Sequence, residues 1–252
     1  MKAVSVTSGG IDSITNALML IDAGYETTLF HVNYGQKCEK AEELSVRKIG
    51  QILNVPVMVV DARFPFQTSA LTSKDISVPV GLEARDRMKD IWVPARNVVF
   101  LALASAYAEE IGAEKITLGC NQSEVGYPDN TKEFLDRFTS MLEYGCIKVK
   151  PKVYSPEWEI DKKQIIEWGY NHHYDEVYKW TWSCDNGSDS DKREDMKACG
   201  HCGCCCNRRM AYYLAGISDP QEYEDMDYFW DVFLNEAKNR KDRDKFWWSK
   251  YI

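Results

Sequence analysis

The chain has 252 residues, with 31 Lys+Arg against 39 Asp+Glu, a formal net charge of -8 and 44% apolar residues. That balance suits a soluble globular protein, excludes a disordered chain and lacks the overall positive field that advertises nucleic-acid binding. At roughly 150 residues per domain it makes one large domain, or one with an appendage. Its outlier is cysteine, with 9 in all, five of them between Cys199 and Cys206.

The opening MKAVSVTSGG turns Gly/Ser-rich too soon for a secretory signal, so residues 3–6 read as a first strand and the expected compartment is cytoplasmic. There disulfides are disfavoured, and clustered cysteines point to metal ligands or catalytic thiols. No apolar run approaches the roughly 18 residues of a membrane span. Helical apolar spacing follows over 13–23 (Ile14, Leu18, Ile21), then a strand over 27–33, an amphipathic helix over 39–53 and a strand over 55–61. This βαβαβ order predicts parallel strands with right-handed crossovers. Residues 62–95, with three prolines, read as an irregular functional loop. A helix over 98–111 is apolar and small on nearly every side and is expected to be buried. A strand over 116–119 follows, and Asp129 can N-cap a helix over 132–144. Further helices are expected over 162–169 and 206–215, the last ended by Gly216.

Ser8-Gly9-Gly10-Ile11-Asp12-Ser13 falls where the first strand meets the first helix. Glycines permit a tight turn and close backbone approach, and the helix N-terminus offers free N–H groups to an anion. Ser8 and Ser13 add hydroxyls. A plain glycine turn capped by Ser and Asp is the alternative.

Cys199-x2-Cys202-x2-Cys205 sets three thiolates on a tight turn, with Cys184 arriving from 15 residues upstream. Four sulfurs in a closed tetrahedral shell suit a structural Zn²⁺. Free thiols or an iron–sulfur cluster are the alternatives; Cys204, Cys206 and His201 are competing ligands by spacing alone. Lys192, Arg193, Lys197, Arg208 and Arg209 make a local positive patch with acids interleaved, which reads as a solvated face.

SGGxDS after a first strand resembles the pyrophosphate loop of the N-type ATP pyrophosphatases, which cleave ATP to AMP and pyrophosphate. Five further motifs follow in order: Asn33-Tyr34-Gly35-Gln36, Trp92-Val93-Pro94-Ala95-Arg96-Asn97, Gly126-Tyr127-Pro128-Asp129, Thr181-Trp182-Ser183-Cys184, and Cys199-Gly200-x-Cys202-x2-Cys205-x2-Arg208. Together, to about Tyr223, they are similar to the 7-cyano-7-deazaguanine synthase family of the queuosine pathway. The resemblance implies a doubly wound, mostly parallel α/β sheet over 1–180 and a zinc segment over 181–225, and leaves an added aromatic tail over 226–252. It implies ATP with Mg²⁺, ammonia and 7-carboxy-7-deazaguanine as reactants, and a homodimer. Ser8, Gly9, Gly10, Asp12 and Ser13 would hold phosphates and metal. Asp12, Ser13, Arg96 and Lys162 would act in catalysis. Tyr34, Gln36, Arg96, Tyr127 and Asp129 would line the substrate site. Arg96 in an ordinary ion pair, Asp129 as a mere helix cap, and a solvent-facing Lys162 next to Lys163 are the plainer roles.

Two features depart from the family pattern. Asn130-Thr131 stands where Cys-Arg is usual, with Lys132 or Arg137 as candidates to compensate. The tail, with Phe229, Trp230, Phe233, Trp247 and Trp248 among its aromatics, reads as a helix packed on the domain or across a dimer, or as a docking surface for a protein partner. Relatives in phage genomes and antiphage defence stop at the amide or join the activated acid to another amine, and such a relative is the alternative function. A tRNA-modifying ATP pyrophosphatase is a further one, disfavoured by the net charge.

Overall fold

The computed structural model describes residues 1–252 apart from Gln122, Glu124, Val125 and Asp189. Strands β1 (Lys2–Val6), β2 (Glu26–Asn33), β3 (Val57–Asp61), β4 (Lys115–Leu118) and β5 (Lys152–Tyr154) form a five-stranded sheet in the order β3-β2-β1-β4-β5. Every neighbouring pair is parallel. The chain steps outward from β1 to β2 and β3, then returns to β4 and β5 on the other side. Strand order therefore reverses at β1, and a crevice outside its carboxyl end is where doubly wound sheets bind ligands.

Period-two alternation sorts the strand side chains onto two cores. Val4, Val6, Phe30 and Val32 face α5 (Arg96–Ile111) and α6 (Lys132–Gly145), meeting Leu101, Ala104, Leu135 and Phe138. On the other face, Leu29 meets α1 (Ile11–Asp22), α2 (Glu39–Leu53), α7 (Lys162–Asn171), α8 (Asp175–Tyr178) and α9 (Gly203–Ala215) through Ile14, Leu18, Ile49, Ile165, Tyr178 and Tyr212.

Several expectations are corrected. Helix α5 buries a single face, built on Asn97, Leu101, Ala104, Ser105 and Ala108, and leaves Val98 exposed. The stretch Met88–Ile111 is long and apolar enough to cross a membrane by length and composition. Its helix is interrupted at 92–95, however, where Ala95 takes a left-handed φ of 55°, and its buried face packs on the sheet. Within the loop over 62–95 lie two short helices, α3 (Glu83–Asp86) and α4 (Met88–Ile91). Thr131, not Asp129, caps α6: its Oγ1 accepts from the Phe134 N–H at 3.1 Å. Lys132 and Arg137 pair along the exposed side of that helix with Asp136 and Glu133, away from the sheet's crevice.

The supposed basic patch is largely interior. Arg193 donates to Ser45, the Thr181 carbonyl and Gln221; Arg208 pairs with Asp219 and donates to Thr181; Arg209 donates to the carbonyls of Asp225 and Met226. All three are buried. They bind the segment around Thr181 to α9 and to the start of the tail.

The tail is not one helix. A π-helical turn (Phe229–Phe233) runs into α10 (Leu234–Asn239), followed by two 3-10 turns, Arg243–Lys245 and Trp247–Lys250. Phe229, Phe233, Leu234 and Trp248 bury themselves against Leu82, Cys206 and Met210, while Trp230 is half exposed. The spare thiol Cys206 is thus a core side chain.

Candidate active site and four-cysteine centre

A cavity of about 360 Å³ opens at the carboxyl end of β1. One wall is the glycine turn. The Ser8 N–H donates to Ser13 Oγ at 3.1 Å, Ser13 Oγ donates to the Gly10 carbonyl at 3.2 Å, and the Gly10 N–H donates to Ser8 Oγ at 3.3 Å. The turn is closed on itself, so neither serine caps the helix. Gly10 occupies the N-cap with no side-chain bond, which leaves the first N–H groups of α1 directed at the cavity. Gly9 has φ +80°, and a Cβ there would lie 3.1 Å from the Glu42 carbonyl oxygen. A side chain would therefore be strained in conformation and crowded in space.

Asp12 and Lys162 line the same wall and form an ion pair with each other. Lys162 is the first residue of α7, set in place by an Asp161–Gln164 capping box. Lys163 turns instead to Glu167. The second carboxylate oxygen of Asp12, Oδ1, is buried and has no hydrogen-bond partner. A cation would satisfy it, so the donor set fits a Mg²⁺.

The facing wall holds Arg96, Tyr34, Tyr127 and Asp129. Arg96 Nη1 donates to Tyr34 Oη at 3.4 Å, and its guanidinium lies 5.8 Å over the Tyr34 ring. Burial pushes the Tyr34 phenol well above its usual range, with Arg96 opposing. Tyr127 stacks on Trp92 at 5.9 Å and 9° between planes. Burial holds the Asp129 carboxyl above its usual range, with the Arg96 charge opposing. Asn97 Nδ2 donates to the Asp129 carbonyl at 3.2 Å and fixes that loop against α5. Asn130 also faces the cavity.

Gly9 and Gln36 stand behind the walls. Gln36 accepts from the Tyr34 N–H at 2.9 Å and donates to Glu42 at 2.7 Å, so it braces Tyr34 and is not a lining residue. Sequence reasoning missed Trp92, Glu42, Asp185, Asn207 and the tail's Phe246 and Trp247, all of which line the cavity. Trp92 was legible from its place in the WVPARN string. Glu42 sits within a regular amphipathic pattern that does not single it out.

The four cysteines meet beside this cavity. The sulfurs of Cys184, Cys199, Cys202 and Cys205 all lie within 4.8 Å of one another and all four residues are buried. Cys199 and Cys205 sulfurs are 3.9 Å apart. Tetrahedral Zn²⁺ with Zn–S of about 2.3 Å sets sulfurs about 3.8 Å apart. Backbone N–H groups of Cys199, Cys202 and Cys205 donate to the sulfurs of Cys184, Cys199 and Cys202 at 3.3–3.4 Å. Hydrogen bonds among the four sulfurs lower the Cys199 thiol and raise those of Cys202 and Cys205. Gly200, at φ +86°, lets the turn close around these sulfurs. His201 is outside the group, its ring 6.2 Å from Tyr228. The set fits a closed structural zinc shell.

Residues 2–216 match the family model described as queuosine biosynthesis protein QueC. The 7-cyano-7-deazaguanine synthase of Methanocaldococcus jannaschii is 40% identical over 237 residues, covering 88% of this chain and 99% of that protein. A synthase of the same name from Methanococcus maripaludis strain C7 is also 40% identical, with the same coverage. One from Sulfolobus acidocaldarius is 37% identical over 88% of this chain and 48% of that longer protein. With most of its length aligned at these identities, the chain belongs to the queuosine biosynthesis protein QueC family.

Proposed function

We propose that this protein is an ATP-dependent C–N ligase that converts 7-carboxy-7-deazaguanine to 7-cyano-7-deazaguanine. A carboxylate oxygen attacks the α-phosphorus of ATP and pyrophosphate leaves. Ammonia then attacks the acyl carbon of the adenylate, AMP leaves and the amide forms. The amide oxygen then attacks the α-phosphorus of a second ATP and pyrophosphate leaves; loss of the nitrogen's protons and of AMP gives the nitrile. The observation that carries this reading is that the glycine turn with Asp12 and Lys162, and the wall of Arg96, Tyr127 and Asp129, open on one cavity. The names of the relatives support the same reaction.

In this reading the N–H groups of the glycine turn and of α1, with Ser8 and Ser13, bind phosphate oxygens. Mg²⁺, held by Asp12, supplies charge neutralisation at the phosphates. Lys162 meets the charge that develops on the α-phosphate. The Tyr127–Trp92 stack offers a flat face to the purine-like ring, and Asp129 accepts from its guanine-type N–H groups. Arg96 grips the carboxylate as a planar donor fork.

Pyrophosphate exchange into ATP, with acid present and no amine, isolates the first step. Exchange that requires 7-carboxy-7-deazaguanine is expected; exchange indifferent to that acid would reject the reading. Asn130 in the cavity wall, where the family pattern has cysteine, favours one second reading. There the later steps differ, and the chain stops at the amide or passes the acyl group to another amine, including a protein amine, as in phage DNA modification or antiphage defence.

A further inference from the structure

The tail beyond residue 225 lies outside the family match, which ends at residue 216. It nevertheless reaches the catalytic cavity, whose lining includes Lys245, Phe246 and Trp247 together with Asp12 and Lys162. The tail is pinned at three points around that opening. Arg240 pairs with Asp86 of α3 at 2.6 Å. Trp247 Nε1 donates to Asn207 Oδ1 of α9 at 3.3 Å. At the far end, Tyr251 Oη donates to Asp161 Oδ2 at 2.8 Å and Lys250 Nζ reaches the same oxygen at 2.7 Å. Between the pins, Trp248 is fully buried and stacks on Phe246 at 4.9 Å. Asp161 is the residue that caps α7 directly before Lys162.

We infer that the segment 245–252 is a working wall of the active site, which holds Lys162 in place from behind through Asp161 and keeps water from the acyl adenylate. The inference rests on the proposed adenylation chemistry. Water competes with the amine for the acyl carbon: its attack breaks the acyl–oxygen bond, releases AMP and returns the free acid, so ATP is spent without a C–N bond. Trp247, which lines the cavity and donates to Asn207, takes the water-excluding role; Tyr251 and Lys250 are positioning residues.

The test compares the full chain with Trp247→Ala, Trp247→Phe and a chain ended after Asp244. AMP is counted against amide plus twice the nitrile, with ATP, 7-carboxy-7-deazaguanine and ammonium supplied. This ratio does not depend on how much of the enzyme is folded, so a merely structural role leaves it unchanged. The wild-type ratio is expected near one. It should rise threefold or more in Trp247→Ala and in the shortened chain, and return toward one in Trp247→Phe, which restores the bulk without the N–H. A ratio that stays near one in both disabled variants would overturn the assignment of the tail alone. A wild-type chain that releases no acid-dependent AMP would overturn it together with the adenylation reading.

Discussion

Trp182 donates its backbone N–H to the carbonyl of Gly9 at 2.8 Å. Two residues later Cys184 enters the four-cysteine shell, and Trp182 Nε1 returns to the Cys184 carbonyl at 2.9 Å. The four-cysteine shell and the glycine turn are therefore one continuous construction. Cys199→Ser, or a strong chelator, should release about one zinc per chain and weaken ATP binding as well as lower the unfolding temperature, because metal binding is part of the folding free energy. Metal analysis with ATP titration checks this. A metal-free chain that binds ATP unchanged would separate the two.

The Asp12–Lys162 pair predicts unequal variants. Asp12→Ala removes the carboxylate that pairs with Lys162 and with it the proposed metal ligand, and should abolish ATP-to-AMP turnover. Lys162→Ala should lower kcat by about 100-fold, the usual loss for one aligned charge donor, with a smaller change in KM. Lys162→Arg should fall between the two. Single-turnover AMP formation is the readout.

Arg208 is buried with its Nε on Asp219 at 3.0 Å and Nη1 on Thr181 Oγ1 at 2.8 Å. Arg208→Ala strands a largely buried carboxylate and should cost about 3–5 kcal/mol. Arg208→Met combined with Asp219→Leu removes both charges and should cost less than the single change. Denaturant midpoints at unchanged slope decide between them.

Lys250, the Gln164 N–H and Tyr251 together outweigh the burial of Asp161 and hold its carboxyl below the usual range. A carboxylate depressed by folding stabilises the native state above its ordinary value, and that contribution is lost as pH falls through the lower folded value. Asp161→Asn keeps the helix cap but loses the charge. At neutral pH it should be less stable by on the order of 1 kcal/mol, a modest figure because Lys250 is half exposed. The gap should close below about pH 4, as the wild-type carboxyl is protonated in the unfolded chain. Thermal melts of both proteins from pH 7 to pH 3 give the comparison.

Much of this fold is legible from local pattern. Residues 39–53 show a full amphipathic period and match α2 at both ends, and the strand–glycine–helix opening places the cavity. Strand β5 is three residues long, too short for any period to register. Asp129 and Thr131 stand two residues apart before α6, and residue type alone does not choose the cap. The arginines of 193–209 alternate with acids, so a buried ion-pair set and a solvated face share one sequence signature. Tail residues such as Trp247 join the cavity through contacts far apart in sequence, with Asn207 and Asp161, which periodicity along 226–252 does not encode.

The most direct test of the central claim is mass spectrometry of the products from ATP, 7-carboxy-7-deazaguanine and ¹⁵N-ammonium. The account predicts labelled 7-cyano-7-deazaguanine with two AMP per nitrile. Recovery of the unlabelled acid with no AMP formed would contradict it.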